Sequence, residues 1–80
     1  MSTRKEVLGL AVGALVAAGV PDAEVDAWYL FEHVTGMNRS AYFLHRNDEM
    51  EDAKAEQLAE LVEQRAKRVP LQYITGSQEF

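Results

Sequence analysis

The sequence predicts an all-α fold, a small bundle of four helices followed by a short terminal helical turn. Apolar residues recur at the i, i+3, i+4, i+7 spacing of a helix face, and no stretch before the last residues alternates between apolar and polar residues as a strand would. Helix start and stop signals also divide the chain into segments of helical length. We therefore expect one domain of 80 residues whose neighbouring helices, joined by short connections, pack on one another.

The first helix is predicted between Thr3 and Gly19. Thr3 and Glu6 have the spacing of a capping box, in which each side chain accepts a hydrogen bond from the other residue's backbone. Gly19 followed by Pro21 is a typical helix stop.

The interior of this first helix is apolar from Val7 to Val20. The run is too short to cross a bilayer, which takes about 20 residues. We interpret it as a buried helix in which Gly9 and Gly13 permit close contact with a neighbouring helix. Because Arg4 and Lys5 precede the run and small residues end it, a secretory signal peptide is an alternative.

The second helix is predicted to start near Pro21-Asp22 and to stop at Gly36, because proline suits the first helical turn and glycine suits the end. Trp28 stands at the edge of the apolar side that this second helix is predicted to turn toward the core. The third helix is short, with Asn38 as a good N-cap residue, and it fades into a polar turn.

The fourth helix is predicted to begin around Glu51-Asp52 and to run to about Lys67. Pro70 ends it, because a proline pushes the preceding Val69 toward extended geometry. The helical spacings together predict a core made of Leu8, Val12, Leu15, Ala27, Leu30, Phe31, Val34, Leu44, Leu58, Leu61 and Val62.

The segment from Leu71 to Ile74 is predicted to form one further helical turn that docks beside the fourth helix. Arg65 is placed to donate hydrogen bonds to carbonyls at that turn, and its alternative role is a surface cation near the helix end. Residues Ser77 to Phe80 are expected to be disordered, because a strand start without a partner leaves its backbone unsatisfied.

Composition narrows the function classes. The chain has no cysteine, which excludes disulfides and thiolate metal sites. Its net charge of −5 disfavours general binding to nucleic acid or to anionic membranes, which needs clustered lysine and arginine. The acidic residues concentrate in the second half of the chain, where they form either a solvated helix face or a docking surface for a basic protein.

The residues predict no catalytic, cofactor-binding or metal-binding site. His33 shares a helix face with Asp26 and Tyr29, but a metal site would need more ligands. We expect His33 to be a boundary residue bonded to a carboxylate or carbonyl, and His45 to be exposed. The acidic residues lie on a solvated face with no apolar pocket that would prepare one of them for acid–base chemistry.

The final segment, "QRAKRVPLQYITGSQEF", resembles the signature that closes the N-terminal domain of the HemK/PrmC family. Members carry an arginine in this helix, then P-[LV]-x-Y-[IL]-x-G and an E-F pair. The residues at those places here are Arg65, Pro70, Leu71, Tyr73, Ile74, Gly76, Glu79 and Phe80. The similarity extends upstream to Asp26-Ala27, Leu30, Val34, Gly36 and Arg39. Bulkier residues at Trp28-Tyr29 and Phe31, and Val69 before the proline, depart from the family pattern and look like core or edge variation.

This resemblance implies a function. HemK/PrmC proteins use S-adenosylmethionine to methylate the glutamine of the Gly-Gly-Gln loop of class-1 peptide release factors. It implies that residues 1–76 form the helical domain that helps to hold the release factor. Residues 77–80 would begin a connector to a methyltransferase domain that lies outside these 80 residues. The 80 residues would then be non-catalytic and would contain no S-adenosylmethionine site.

The partners implied are the release factor and the protein's own C-terminal methyltransferase domain, with no direct nucleic acid and no membrane, for a monomer in the cytoplasm. The motif residues are the candidates for contacts with a partner or between domains, namely Arg65, Pro70, Leu71, Tyr73, Gly76, Glu79 and Phe80. The alternative is a free-standing helical adaptor that mediates protein interactions.

Overall fold

The computed structural model describes residues 2–75. In chain order, its helices are α1 (Arg4–Ala17), α2 (Ala23–Thr35), α3 (Arg39–His45), α4 (Asp52–Ala66) and α5 (Leu71–Thr75). The predicted all-α class is confirmed, and the predicted terminal turn is α5. The predictions for Ser77 to Phe80 concern residues outside this described range, as does the motif residue Gly76.

Local capping chemistry sets several helix ends where the sequence predicts them. Thr3 Oγ1 accepts a hydrogen bond from the Glu6 amide at 3.1 Å, and Glu6 Oε1 accepts one from the Thr3 amide at 3.0 Å. Asn38 Oδ1 accepts from the amide of Ala41 at 2.9 Å. Gly36 ends α2 in the left-handed region, with φ of 73°. Each bond satisfies a backbone group that a helix end leaves without an intrahelical partner.

The end of α4 is closed by an arginine in place of the usual glycine. Arg68 has φ of 72°, a region in which a side chain is strained. Its amide donates to Arg65 O at 2.9 Å and the following amide donates to Gln64 O at 3.1 Å, the two bonds of a Schellman motif. Its guanidinium donates to the carbonyls of Ala18 and Gly19, at 3.1 and 3.2 Å. These bonds to the end of α1 offset the backbone strain.

Helices α1, α2 and α4 pack against one another, and α5 packs on α4 and α2. α1 and α4 run parallel, because the Met50 amide donates to Ser2 O at 2.8 Å at their N-terminal ends and Arg68 joins their C-terminal ends. α2 runs in the opposite direction, so that Lys54 Nζ near the start of α4 donates to Val34 O near the end of α2 at 3.2 Å.

The core lies between these three helices and extends under α3 and α5. Most of the predicted core residues are buried, and Val12 is partly buried. The prediction for Leu44 is wrong, because its side chain is 80% exposed while Tyr42 is buried instead. Tyr42 packs edge-to-face on Trp28 and Phe31, with ring centroids 4.8 and 5.5 Å apart. The buried apolar residues that the sequence did not indicate are Ala11, Val20, Ala23, Tyr42 and Met50.

Helix α1 is buried along one side only, which corrects the prediction of a buried helix. The side that faces the core carries Leu8, Ala11 and Leu15. Leu10 and Val16 are 71% and 61% exposed. Gly9 and Gly13 also face away from the core, since a Cβ atom added at either glycine would have no atom within 4 Å. The proposed role of these glycines in close helix contact is therefore wrong. None of the described helices combines the length and the apolar character needed to span a membrane.

We predict that Leu30→Ala and Leu61→Ala each lower the free energy of unfolding by about 2–5 kcal/mol, because each leaves a cavity in the core. Leu44→Ala removes the same atoms from an exposed position and should change stability by less than about 0.5 kcal/mol. Urea unfolding followed by circular dichroism measures all three. Equal losses of stability for the Leu30 and Leu44 variants would show that Leu44 is buried in solution and that α3 turns a different side to the core.

The exposed glycines of α1 give a second prediction. Gly13→Ala should raise stability by roughly 0.5–1 kcal/mol, or about 2–8 °C in Tm, because alanine favours the helix and its Cβ meets no atom. Gly19→Ala should instead lower Tm, because Gly19 has φ of 78° and a Cβ there would lie 3.3 Å from Arg68 Nη2. Calorimetric melting compares the two variants. A fall in Tm for Gly13→Ala would mean that this side of α1 is covered in solution.

Candidate partner-binding surfaces

Arg65 joins three parts of the domain from its position near the end of α4. Its Nε donates to Asp26 Oδ2 on α2 at 2.8 Å, and its Nη1 donates to Val69 O at 3.2 Å. The Asp26 side chain is only 9% exposed and the Arg65 side chain 21%. A buried carboxylate is stable when it is paired and hydrogen-bonded, so this ion pair holds α2 against α4. The bond to Val69 also fixes the segment that leads into α5.

The predicted hydrogen bond from Arg65 to a carbonyl at the turn is therefore confirmed, whereas its ion pair with Asp26 was not predicted. Asp26 binds Arg65 and not His33, which lies on the same helix. His33 is exposed, and its side chain makes no hydrogen bond with any residue between positions 2 and 75, so the expected boundary role is wrong. His45 is exposed as predicted, and its Nδ1 lies 3.0 Å from Asp48 Oδ2. Within the described range, no group of His, Cys, Asp and Glu side chains is arranged to hold a metal ion.

Helix α5 presents one side to the bundle and one to solvent. The amides of Tyr73 and Ile74 both donate to Pro70 O, at 3.0 and 3.2 Å, which starts the turn directly after the proline. Ile74 is buried and Leu71 is half-buried, so these two apolar residues dock the turn as predicted. Tyr73 lies on the outer side with 68% of its surface exposed. Among the described motif residues, Arg65, Pro70 and Leu71 thus position the turn, whereas Tyr73 is exposed.

Helix α3 carries a small exposed apolar surface of its own. The guanidinium of Arg39, at a family-motif position, lies 4.7 Å from the centroid of the Trp28 ring in a cation–π contact. Phe43 and Leu44, further along α3, are exposed, and Arg46 covers part of Phe43 from 5.5 Å. The contact with Trp28 therefore gives Arg39 a structural role within the domain.

An open apolar groove of about 530 Å³ runs between α1 and α4. Its floor contains the buried side chains of Leu58 and Val62. Alanines such as Ala14 on α1 and Ala59 on α4 form its walls, and they are too short to reach across the space between the helices. Leu10 stands on the rim and is largely exposed. The groove can therefore bury apolar side chains of another molecule.

A row of exposed acidic residues follows the α4 side of this groove. Asp52, Glu56, Glu60 and Glu63 recur at helical spacing along one side of α4, and Glu63 also lines the groove. Among residues 2–75, only Glu63 of these four has a cationic partner, Lys67, whose Nζ lies 3.6 Å away. The acidic concentration was predicted, but the expectation that no apolar pocket accompanies these residues is wrong, because Glu63 lines the groove.

Sequence comparisons place this architecture in a known family. The model that describes the PrmC N-terminal domain matches residues 6–76. The chain belongs to this family. It is 42% identical over 76 residues to a release factor glutamine methyltransferase of Deinococcus radiodurans, and the match covers 95% of this chain and 27% of that protein. A protein of the same name from Geobacter sulfurreducens is 33% identical over 78 residues, with 98% and 28% covered.

A bifunctional methyltransferase of Rickettsia typhi is 32% identical over 76 residues, with coverage of 95% of this chain and 15% of that protein. The chain thus spans about a quarter of the first two relatives and less of the third. No solved structure is significantly similar to it. The match to the PrmC N-terminal domain takes in all five helices except the first two residues of α1, so α5 lies within the matched domain.

For this PrmC N-terminal domain we predict strong coupling between Asp26 and Arg65. Asp26→Leu and Arg65→Met should each cost about 3 kcal/mol, because each leaves a largely buried charge without its partner. The double variant should be more stable than the sum of the single losses predicts, by about 1–3 kcal/mol. Urea unfolding of the four proteins measures this coupling.

Lys67→Met is the control, because it removes an exposed cation of α4 and should change stability by less than about 0.5 kcal/mol. Arg65→Met should also speed amide exchange at Tyr73 and Ile74, since it releases Val69 O. Additive losses in the double variant would show that the ion pair does not hold α2 and α4 together.

Proposed function

We propose that this domain is the release-factor-recognition part of a protein-glutamine methyltransferase. The protein substrate would be a class-1 peptide release factor, methylated on the glutamine of its Gly-Gly-Gln loop with S-adenosylmethionine as methyl donor. The observation that carries the proposal is the family match over residues 6–76, together with relatives that are named release factor glutamine methyltransferases.

The groove between α1 and α4 does not fit S-adenosylmethionine. That cofactor presents ribose hydroxyls, an adenine ring and a charged amino-acid group, which need several converging polar partners. The groove between α1 and α4 is lined by aliphatic side chains, with only Ser2 and Glu63 as polar residues. We therefore propose that the 80 residues are non-catalytic and that the cofactor binds in a separate methyltransferase domain.

The family motif suggests where that domain attaches. We propose that residues 1–76 are the recognition domain and that residues 77–80 begin the connector, so that α5 lies next to the catalytic domain. Tyr73 and Gly76 would contact the connector or the catalytic domain, and Glu79 and Phe80, within the connector, would make contacts between the domains. Pro70, Leu71 and Arg65 would act as positioning residues, which is supported by the docking of Leu71 and by the bond from Arg65 to Val69.

We further propose a monomer that works in the cytoplasm, where release factors act in translation. The support is that α1, whose sequence imitates a signal peptide, contributes Leu8, Ala11 and Leu15 to the core. The length of the natural reading frame distinguishes this proposal from the alternative of a free-standing helical adaptor. A reading frame that continues past Phe80 into a cofactor-binding domain excludes the adaptor.

Isothermal titration of the 80-residue chain, together with an assay of methyl transfer, tests the proposal. We expect saturable binding of a purified class-1 release factor, no heat of binding with S-adenosylmethionine, and no methyl transfer to the release factor. A release factor with Gln→Ala in its Gly-Gly-Gln loop is the control, and it should bind with unchanged affinity because the loop is the substrate of the catalytic domain. Absence of release-factor binding, or micromolar binding of the cofactor, would contradict the proposal.

A further inference from the structure

Helix α1 is unusual for a surface helix because it is apolar on the solvent side as well as on the core side. No charged residue occurs between Val7 and Val20, although Leu10, Ala14 and Val16 are exposed. A surface helix of a soluble domain ordinarily carries polar residues on its outer face. The exposed apolar atoms of α1 are continuous with the groove through Leu10 and Ala14, which line it. This continuity extends the apolar surface beyond the groove itself.

The shape of the groove suits a helix. α1 and α4 run parallel, and the residues that line the groove extend from Val7 to Ala14 on α1 and from Ala55 to Ala66 on α4, which gives a groove about 10–17 Å long, or roughly two to three helical turns. Its alanine walls leave room for aliphatic side chains from an amphipathic helix, whose anchors recur at i, i+3, i+4 and i+7. Leu58 and Val62 offer those anchors an apolar floor.

Charge specifies the occupant further. Asp52, Glu56 and Glu60 are exposed beside the groove and have no cationic partner among residues 2–75. A helix lying in the groove would place one of its flanks along this row, and lysine or arginine on that flank would match it. Individual exposed ion pairs contribute little affinity, but a complementary row sets orientation and speeds association. A second copy of this chain carries the same acidic row and a net charge of −5, so charge opposes self-association through the groove.

We propose that the groove between α1 and α4 binds an amphipathic helix of the release factor, with aliphatic anchors in the groove and lysine or arginine along the α4 side. The inference rests on the proposed function for the identity of the partner, while the chemistry of the helix follows from the groove. It also assigns different sides of α4 to different contacts. α5 packs on α4 and α2, whereas the groove is formed with α1, so α5 and a bound helix do not compete for the same side of α4.

Filling the groove is the first test. Ala59→Phe places a large side chain on the groove wall, and we expect it to weaken release-factor binding at least about tenfold. Ala53→Phe is the matched control, because Ala53 is an exposed alanine of the same helix that does not line the groove. It should leave the affinity within about twofold. Circular dichroism melting establishes that both variants fold.

Removing the charges is the second test. Glu56→Gln with Glu60→Gln should weaken binding and reduce its dependence on salt concentration, because screening then acts on fewer charges. Glu24→Gln with Glu32→Gln removes the same charge from exposed positions of α2 and should preserve both quantities. Equal effects of the two pairs would show that net charge, and not the row beside the groove, governs binding.

Amide and methyl chemical shifts separate this inference from the proposed function. Release-factor-induced shifts at Ala14, Ala55 and Ala59 support both, whereas binding with shifts confined to α2, α3 or α5 overturns the groove and leaves the function standing. If the release factor does not bind, the proposed function fails. An amphipathic peptide of about 18 residues, with a leucine ridge and lysines on one flank, then tests whether the groove binds a helix of this kind. Binding of this peptide with shifts at the groove, and weaker binding of its glutamate counterpart, support the groove chemistry, and no binding overturns it.

Discussion

The carboxylate of Asp26 lies inside the bundle, and the arrangement of the helices follows from the need to pair it. An isolated charge in an apolar interior is strongly destabilising, so α4 has to bring a cation to within hydrogen-bond distance of α2. Arg65 does this from near the C-terminal end of α4, while Asp26 lies near the N-terminal end of α2, where the helix dipole also favours a negative charge. The pair therefore fixes the direction and register of the two helices. The second donor of Arg65 then reaches Val69, so the same guanidinium sets the position of α5.

The helix boundaries were predictable because they depend on residues close together in the chain. A capping box needs Thr3 and Glu6, and Asn38 needs only the start of its own helix. The buried faces of α2 and α4 were predictable for a similar reason, since each is long enough for a helical period to show. α3 is too short for that. Its four consecutive apolar residues give no phase, and the structure buries Tyr42 where the sequence suggested Leu44.

The candidate site was less predictable because it depends on contacts between distant residues. Asp26 and Arg65 are 39 positions apart. The sequence nevertheless held a signal, because each stands in the apolar stripe of its own helix, and a charge in such a position needs a partner of opposite charge. The groove had no comparable signal. It arises where short alanine side chains of α1 and α4 meet, and which faces of two helices meet is a property of the whole bundle. The prediction that Gly9 and Gly13 mark a helix contact is wrong because the side of α1 that faces the core is formed by other residues.

The parallel pairing of α1 with α4 has a consequence for synthesis of the chain. Arg68 and Ala18, which join the C-terminal ends of these helices, are separated by 50 positions, whereas α1 and α2 are sequence neighbours. On the ribosome, α1 and α2 can form a hairpin first, because at roughly 5–20 residues per second the end of α4 is synthesised about 2–6 seconds after the end of α2. During that interval the core side of α1 is half-covered and its outer side is equally apolar. The nascent hairpin therefore exposes apolar surface on two sides of α1 until α4 packs against it.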